Sequence, residues 1–202
     1  NLSTTGPVGG SPADFSLYIE EFGEGNAMDL SGCAGGFVNA IISAPDSESG
    51  FGPTEFDVSD FRNAKEVRVE GLNDVIGVTM TPTKPYPNLE SLIWEEMLLL
   101  ETLPDMTNVV APNLNHIEFN TCEALSSDEI IAFMLSLVLS IQAGRIPTGG
   151  TLDFSGTEFD NSSGAFVNAY MNLTLTPLNW NVTGLDEYPE FAVWEWGFLS
   201  DP

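Results

Sequence analysis

Leu89-Glu90-Ser91-Leu92-Ile93-Trp94-Glu95-Glu96-Met97 is followed, 25 residues on, by Leu114-Asn115-His116-Ile117-Glu118-Phe119-Asn120-Thr121-Cys122 (114−89). Both read apolar-x-x-apolar-x-apolar-x-x-apolar, and this shared template decides the fold. Ala64, Val67, Val69 and Leu72 fit it one period earlier, and Leu152, Phe154 and Thr157 fit its last three positions further on. The strand-opening residues Val67, Leu92, Ile117 and Leu152 are spaced by 25, 25 and 35 (92−67, 117−92, 152−117). Apolar residues alternate at the centre of each segment, which predicts a short half-buried strand. Pro82, Pro85, Pro87, Pro104 and Pro112 exclude long helices from the returning segments. One such unit cannot hide its apolar face, but a stack of them can, and a stack acts through an extended surface rather than a closed pocket.

Composition bounds the partners. Of 202 residues, 43% are hydrophobic, which argues against intrinsic disorder and supports one domain with a sizeable core. Thirty acidic residues face five basic ones, for a formal charge of −25. A surface this acidic cannot gather phosphate contacts, so nucleic acid and anionic membranes are excluded as expected partners. Solubility or a salt-rich medium explains the charge without a ligand; a divalent cation or a basic partner would explain it with one. The longest apolar run, Ile130–Ile141, is too short to span a bilayer, so no membrane insertion is expected. A chain opening at Asn1 reads as a processed product or a fragment. Asn1, Asn161, Asn172 and Asn181 each open a glycosylation triplet, meaningful only in a eukaryotic secretory context.

Both cysteines hold one template position: Cys122 follows Ile117 by five residues and Cys33 follows Met28 by five. Equivalent positions several strands apart lie beyond disulfide reach, so two buried free thiols are expected. Ser126 to Gln142 reads as a helix, with Ser126 and Glu129 forming a reciprocal capping box and Gly144 a stop. Its core face is Ile130, Ile131, Phe133, Met134, Leu137, Val138 and Ile141. Leu135 and Leu139 fall outside that face; either flanking segments cover them or they dock another subunit. A second helix is expected over 165–173.

The ends differ from the template. Residues 1–12 read as a glycine-rich arm, and 13–60 as an N-terminal cap containing a strand at Phe15, Leu17 and Ile19. Met28–Gly32 echoes Leu152–Gly156, and Phe37–Ala40 echoes Phe166–Ala169, which suggests a related strand at the far end of the stack. Phe56-Asp57-Val58 lies only 11 residues before Val67 (67−56) and reads as the entry to the first full repeat. Residues 61–184 form the repeat region with its closing module, and 185–202 an aromatic tail. In the tail, Trp194, Trp196 and Phe198 share one strand face, as an end cap, an intersubunit anchor or a sugar-stacking platform.

The template resembles the leucine-rich repeat, with residues 89–97 and 114–122 as its best copies. Ala124-Leu125-Ser126, the helix, Gly150-Thr151-Leu152-Asp153-Phe154-Ser155-Gly156, the second helix and Asn179-Trp180-Asn181-Val182-Thr183 are similar to the closing module of short leucine-rich-repeat proteins. Such modules occur in bacteriophage structural and tail-associated proteins and in bacterial surface proteins. Trp94 and Phe119 replace usual leucines, and the asparagine-ladder position holds Leu72, Met97, Cys122 and Thr157. The resemblance implies an α/β solenoid with a short parallel sheet, C-terminal helices and non-repeat caps. It also implies a non-enzymatic component of a virion or of an extracellular cell surface, contacting other subunits or further copies of itself. The alternative is an adhesin module that binds a receptor or glycan.

Strand stacking aligns outward residues in columns: Glu66, Ser91, His116, Thr151; then Arg68, Ile93, Glu118, Asp153; then Glu70, Glu95, Asn120, Ser155. This is the expected binding face, tested by mutation of Arg68, Ile93 and His116. Leu135, Leu139, Trp194, Trp196 and Phe198 are the expected assembly contacts. A base role for His116 would need Ser91 or Ser155 to reach it, and the spacing does not demand that. Paired acids such as Glu95, Glu96, Glu118 and Asp153 arise by chance on so acidic a face, so no catalytic residue is assigned. Calcium is the most plausible metal, because oxygen ligands abound. Its closest loop is Asp153–Asp160, with Asp46-Ser47-Glu48 weaker; neither is dense enough to assign, and no cofactor is expected.

Overall fold

The computed structural model describes residues 15–18, 39–43, 55–82 and 84–185. It is a mixed α/β fold with a parallel sheet and two helices. Among the described residues, the strands are β1 (Phe15–Tyr18), β2 (Asn39–Ser43), β3 (Glu55–Asp57), β4 (Glu66–Glu70), β5 (Gly77–Thr79), β6 (Ser91–Glu95), β7 (His116–Asn120), β8 (Thr151–Asp153) and β9 (Asn181–Thr183). Helix α1 spans Ser127–Gln142 and α2 spans Gly164–Thr174. Seven strands form one sheet in the order β1-β2-β4-β6-β7-β8-β9, every neighbour parallel.

Template positions pair residue for residue. Val67 faces Leu92, Leu92 faces Ile117, Ile117 faces Leu152 and Leu152 faces Val182. The register follows from burial, since a one-residue slip would turn every inward side chain outward. The turn after each strand also repeats. Gly71, Glu96, Thr121 and Gly156, each four residues after the strand's first inward residue, take positive φ of 69°, 54°, 55° and 71°. The N–H groups of Gly71, Glu96 and Thr121 donate to the carbonyls of Glu95, Asn120 and Ser155 in the next unit. Glycine meets that geometry without strain; Glu96 and Thr121 do not.

At the N-terminal end, strands β1 and β2 extend the same sheet in the same register, Phe15 facing Ala40 and Ala40 facing Val67, so strands stand at the far end of the sheet as the internal echo suggests. Ala40 marks its inward position weakly, and Ile41 beside Ile42 hides the alternation. Asn39 and Ala40 begin a strand, whereas the echoing Phe166–Ala169 lies in α2 behind the Ser163 cap. Four shared residues do not outweigh a capping hydroxyl on one side and β-branched neighbours on the other. Phe56 belongs to a separate two-stranded parallel sheet, β3 with β5, carried one unit further by a bridge from Gly77 to Thr102. The returns are therefore partly regular. Residues 1–12, Met28–Gly32 and Cys33 lie outside the described residues.

Inside, aromatic rings occupy the second inward position of β6 and β7 and the residue after β8. Trp94 stacks on Phe119 with centroids 5.0 Å apart, and Phe119 stacks on Phe154 at 5.7 Å. Phe133 of α1 meets Phe119 edge-on at 5.2 Å. Cys122 is a free, buried thiol directed at the carbonyls of Trp94 and Asn120, and burial pushes its pKa up to about 12. Its N–H donates to the buried Thr157 hydroxyl, which in turn donates to the Phe119 carbonyl. Where the chain lengthens between units, one hydroxyl thus satisfies two backbone groups.

Helix α1 starts at the expected cap, with the Ser126 hydroxyl accepting from the Glu129 N–H at 3.2 Å. Glu129 does not complete the capping box; its carboxylate accepts from the Leu103 N–H at 2.7 Å. Ser136 accepts from the buried Met106 N–H, Ser140 donates to the Val109 carbonyl, and the Arg145 guanidinium donates to the Thr107 carbonyl. Successive turns of the helix thereby satisfy the irregular return of the preceding unit. This is why Ser136 and Ser140 are buried, while Ile131, expected in the core face, is only partly buried.

Candidate interaction surfaces

The outward columns are in place on the sheet. Glu66, Ser91, His116 and Thr151 are register neighbours, continued by Asn181 of β9. Arg68, Ile93, Glu118 and Asp153 form the second column, continued by Thr183. Glu70, Glu95 and Asn120 form the third, extended to Ser155 by the turn hydrogen bond. Apart from Ile93, the expected site residues of these columns are half-buried by one another. Ile93 is 4% exposed and so does not offer the accessible contact expected of it. The Arg68 guanidinium reaches from β4 to Glu95 on the adjacent β6 at 2.8 Å.

Charges on this face answer one another. Lys65 pairs with Glu90 at 3.0 Å, and Arg68 pairs with Glu95 while lying 3.9 Å from Glu66. His116 Nε2 sits 3.2 Å from Glu118 Oε2, whose other oxygen accepts from the Asn120 amide. The Ser155 hydroxyl donates to Asp153 at 2.7 Å. The imidazole thus lies against one carboxylate and the Ser155 hydroxyl against another, while Ser91 is the register neighbour of His116 on β6.

The suggested calcium loop uses its carboxylates on itself. Asp153 accepts from the Ser155 N–H and hydroxyl, and Asp160 accepts from the same groups of Ser162. Those Ser162 bonds hold the Asp160 carboxyl below its ordinary range. Among the described residues, no group of three or more His, Cys, Asp or Glu side chains is arranged to hold a metal. Asp46-Ser47-Glu48 lies outside them.

The second surface is helical. Leu135 and Leu139 are 39% and 51% exposed on α1. Met171 and Leu175, at the same four-residue spacing along α2 and its C-cap, are exposed at 37% and 54%. Sequence reasoning missed this second pair, although the signal was present: no charged residue occurs from Asn161 to Gly184, nor from Ile130 to Gly144. Trp194, Trp196 and Phe198, the other expected assembly contacts, lie outside the described residues. No helix among the described residues is long and apolar enough to cross a membrane. No protein family, no curated protein sequence and no solved structure matches the chain.

Proposed function

We propose that this chain is a leucine-rich-repeat-like solenoid that serves as a non-enzymatic structural or interaction component of a virion, phage-like, or of a cell surface, acting through protein–protein contacts. The observation that carries this reading is the residue-for-residue register from Val67 through Leu92, Ile117 and Leu152 to Val182. A regular stack spreads its side chains over a long surface, which suits docking better than chemistry at a single point. Sedimentation of the full chain over a wide concentration range, with calcium and with chelator, tests the assembly role. A discrete oligomer or a growing polymer supports it. A monomer throughout moves the function to the second reading, a receptor- or glycan-binding adhesin module.

That second reading draws on the half-exposed Arg68–Glu95 and His116–Glu118–Asn120 groups, polar side chains held in fixed positions on the sheet face. An array of neutral and sialylated glycans, probed with the wild type and with an Arg68→Ala/His116→Ala variant, addresses it. Binding lost in the variant would place the ligand on that face.

A further inference from the structure

The charge pattern of the two helices points to an occupant for their outer face. The chain carries −25 overall, yet neither Ile130–Gly144 nor Asn161–Gly184 contributes a single charged side chain. These segments contain nearly all of α1 and the whole of α2, and the two helices pack against each other. Their inner sides are sealed by Ile130, Phe133, Leu137, Phe166, Ala169 and Leu173. Outside stand Leu135 and Leu139 on α1, with Met171 on α2 and Leu175 at its C-cap, all more than one-third exposed. An exposed apolar layer on so acidic a chain is costly to leave wet and marks a contact surface. The sheet face presents Glu66, Glu70, Glu95, Glu118 and Asp153 instead.

We propose that this layer is the self-association face of the chain, its occupant a second copy of the same layer. The inference rests on the interaction-protein reading above and names its partner. Two copies this acidic repel through any face that carries their carboxylates, and the helical layer is a surface where they can meet without setting like charges together. About a two-fold axis, Leu135 and Leu139 of one copy then meet Met171 and Leu175 of the other. Asn168 and Asn172, which hydrogen-bond to each other at 3.3 Å on α2, supply uncharged polar groups beside that contact.

Two readouts test it on the full chain. Light scattering of the wild type should give twice the 21.8 kDa chain mass at high protein concentration. Its dissociation constant should tighten as salt screens the repulsion between copies, whereas a contact between opposite charges would weaken. Leu135→Glu/Leu139→Glu alters only exposed positions and should keep the wild-type circular dichroism and melting point. It should weaken association by at least about 100-fold, because it sets like charges into the interface. Met171→Glu/Leu175→Glu repeats the test on the second helix. A wild type that associates while both variants associate equally well overturns the helical face and leaves the interaction reading standing. A wild type that remains monomeric at every concentration and salt overturns the self-pairing together with the assembly role.

Discussion

Replacing Phe119 with leucine probes the hydrophobic core at a ring with three aromatic neighbours. Phe119 is fully buried and meets Trp94 at 5.0 Å, Phe133 at 5.2 Å and Phe154 at 5.7 Å. Each aromatic pair contributes about 0.5–1.5 kcal/mol beyond area burial, so losing all three costs about 1.5–4.5 kcal/mol. The smaller side chain adds about 1 kcal/mol for incomplete collapse around it, and the expected destabilisation is about 2.5–5.5 kcal/mol in all. For a chain of this size each kcal/mol lowers the melting point by about 2–4 °C, so Phe119→Leu should melt about 5–22 °C below the wild type. Urea unfolding followed by circular dichroism, with tryptophan fluorescence as a second probe, measures the change directly. The double variant with Phe154→Leu should show a coupling energy near 1 kcal/mol, because one stacked pair is lost in both single variants. A loss below about 1 kcal/mol for Phe119→Leu, or strictly additive singles, would refute the claim that neighbouring units are held in register by stacked rings.

Other expectations follow from individual turns and buried groups. Glu96→Gly relieves a left-handed backbone at φ 54° and should raise the urea midpoint, by about 0.5–1 kcal/mol of stability. Gly156→Ala should do the reverse by about 2 kcal/mol, because its φ is +71° and its new Cβ would meet the Thr121 hydroxyl at 2.8 Å. Thr157→Val strands the buried Cys122 N–H and should cost about 1–3 kcal/mol in the same assay. Cys122 should resist thiol reagents in native buffer. The folded thiol titrates near 12, so the unfolded chain releases this proton first. Its contribution is fully present below the unfolded thiol pKa of about 8.5 and is lost above it, at about 1.4 kcal/mol per pH unit, until the folded thiol ionises too.

The central register was legible because its inward positions hold large side chains: Leu92, Trp94, Ile117 and Phe119 mark both the alternation and the period. Strand β2 was not, because Ala40 occupies the equivalent position and three consecutive apolar residues blur a period of two. The α1 boundary was readable from Ser126, since a capping hydroxyl acts locally. The destination of Glu129 was not, because Leu103 reaches it only once the return segment is packed. Ile93 shows the same limit on the candidate surface. Alternation places it outward, and its burial shows only once the strands are assembled. Leu135 and Leu139 were visible as residues outside the helical core face. Met171 and Leu175 escaped because α2 is short and its apolar residues do not stand apart from its polar ones.

Both functional readings need outward residues 25 apart to be neighbours, and cysteine pairing tests that most directly. Ser91→Cys with His116→Cys places two thiols on adjacent strands in register, roughly 4.8 Å apart along the sheet and within disulfide reach. Glu66→Cys with His116→Cys places them two strands apart, at about twice that separation and beyond it. Peptide mapping after mild oxidation should find a near-complete intramolecular bridge in the first variant and none in the second. Equal bridging in both, or bridging only in the second, would contradict the columns and remove the surface on which either function depends.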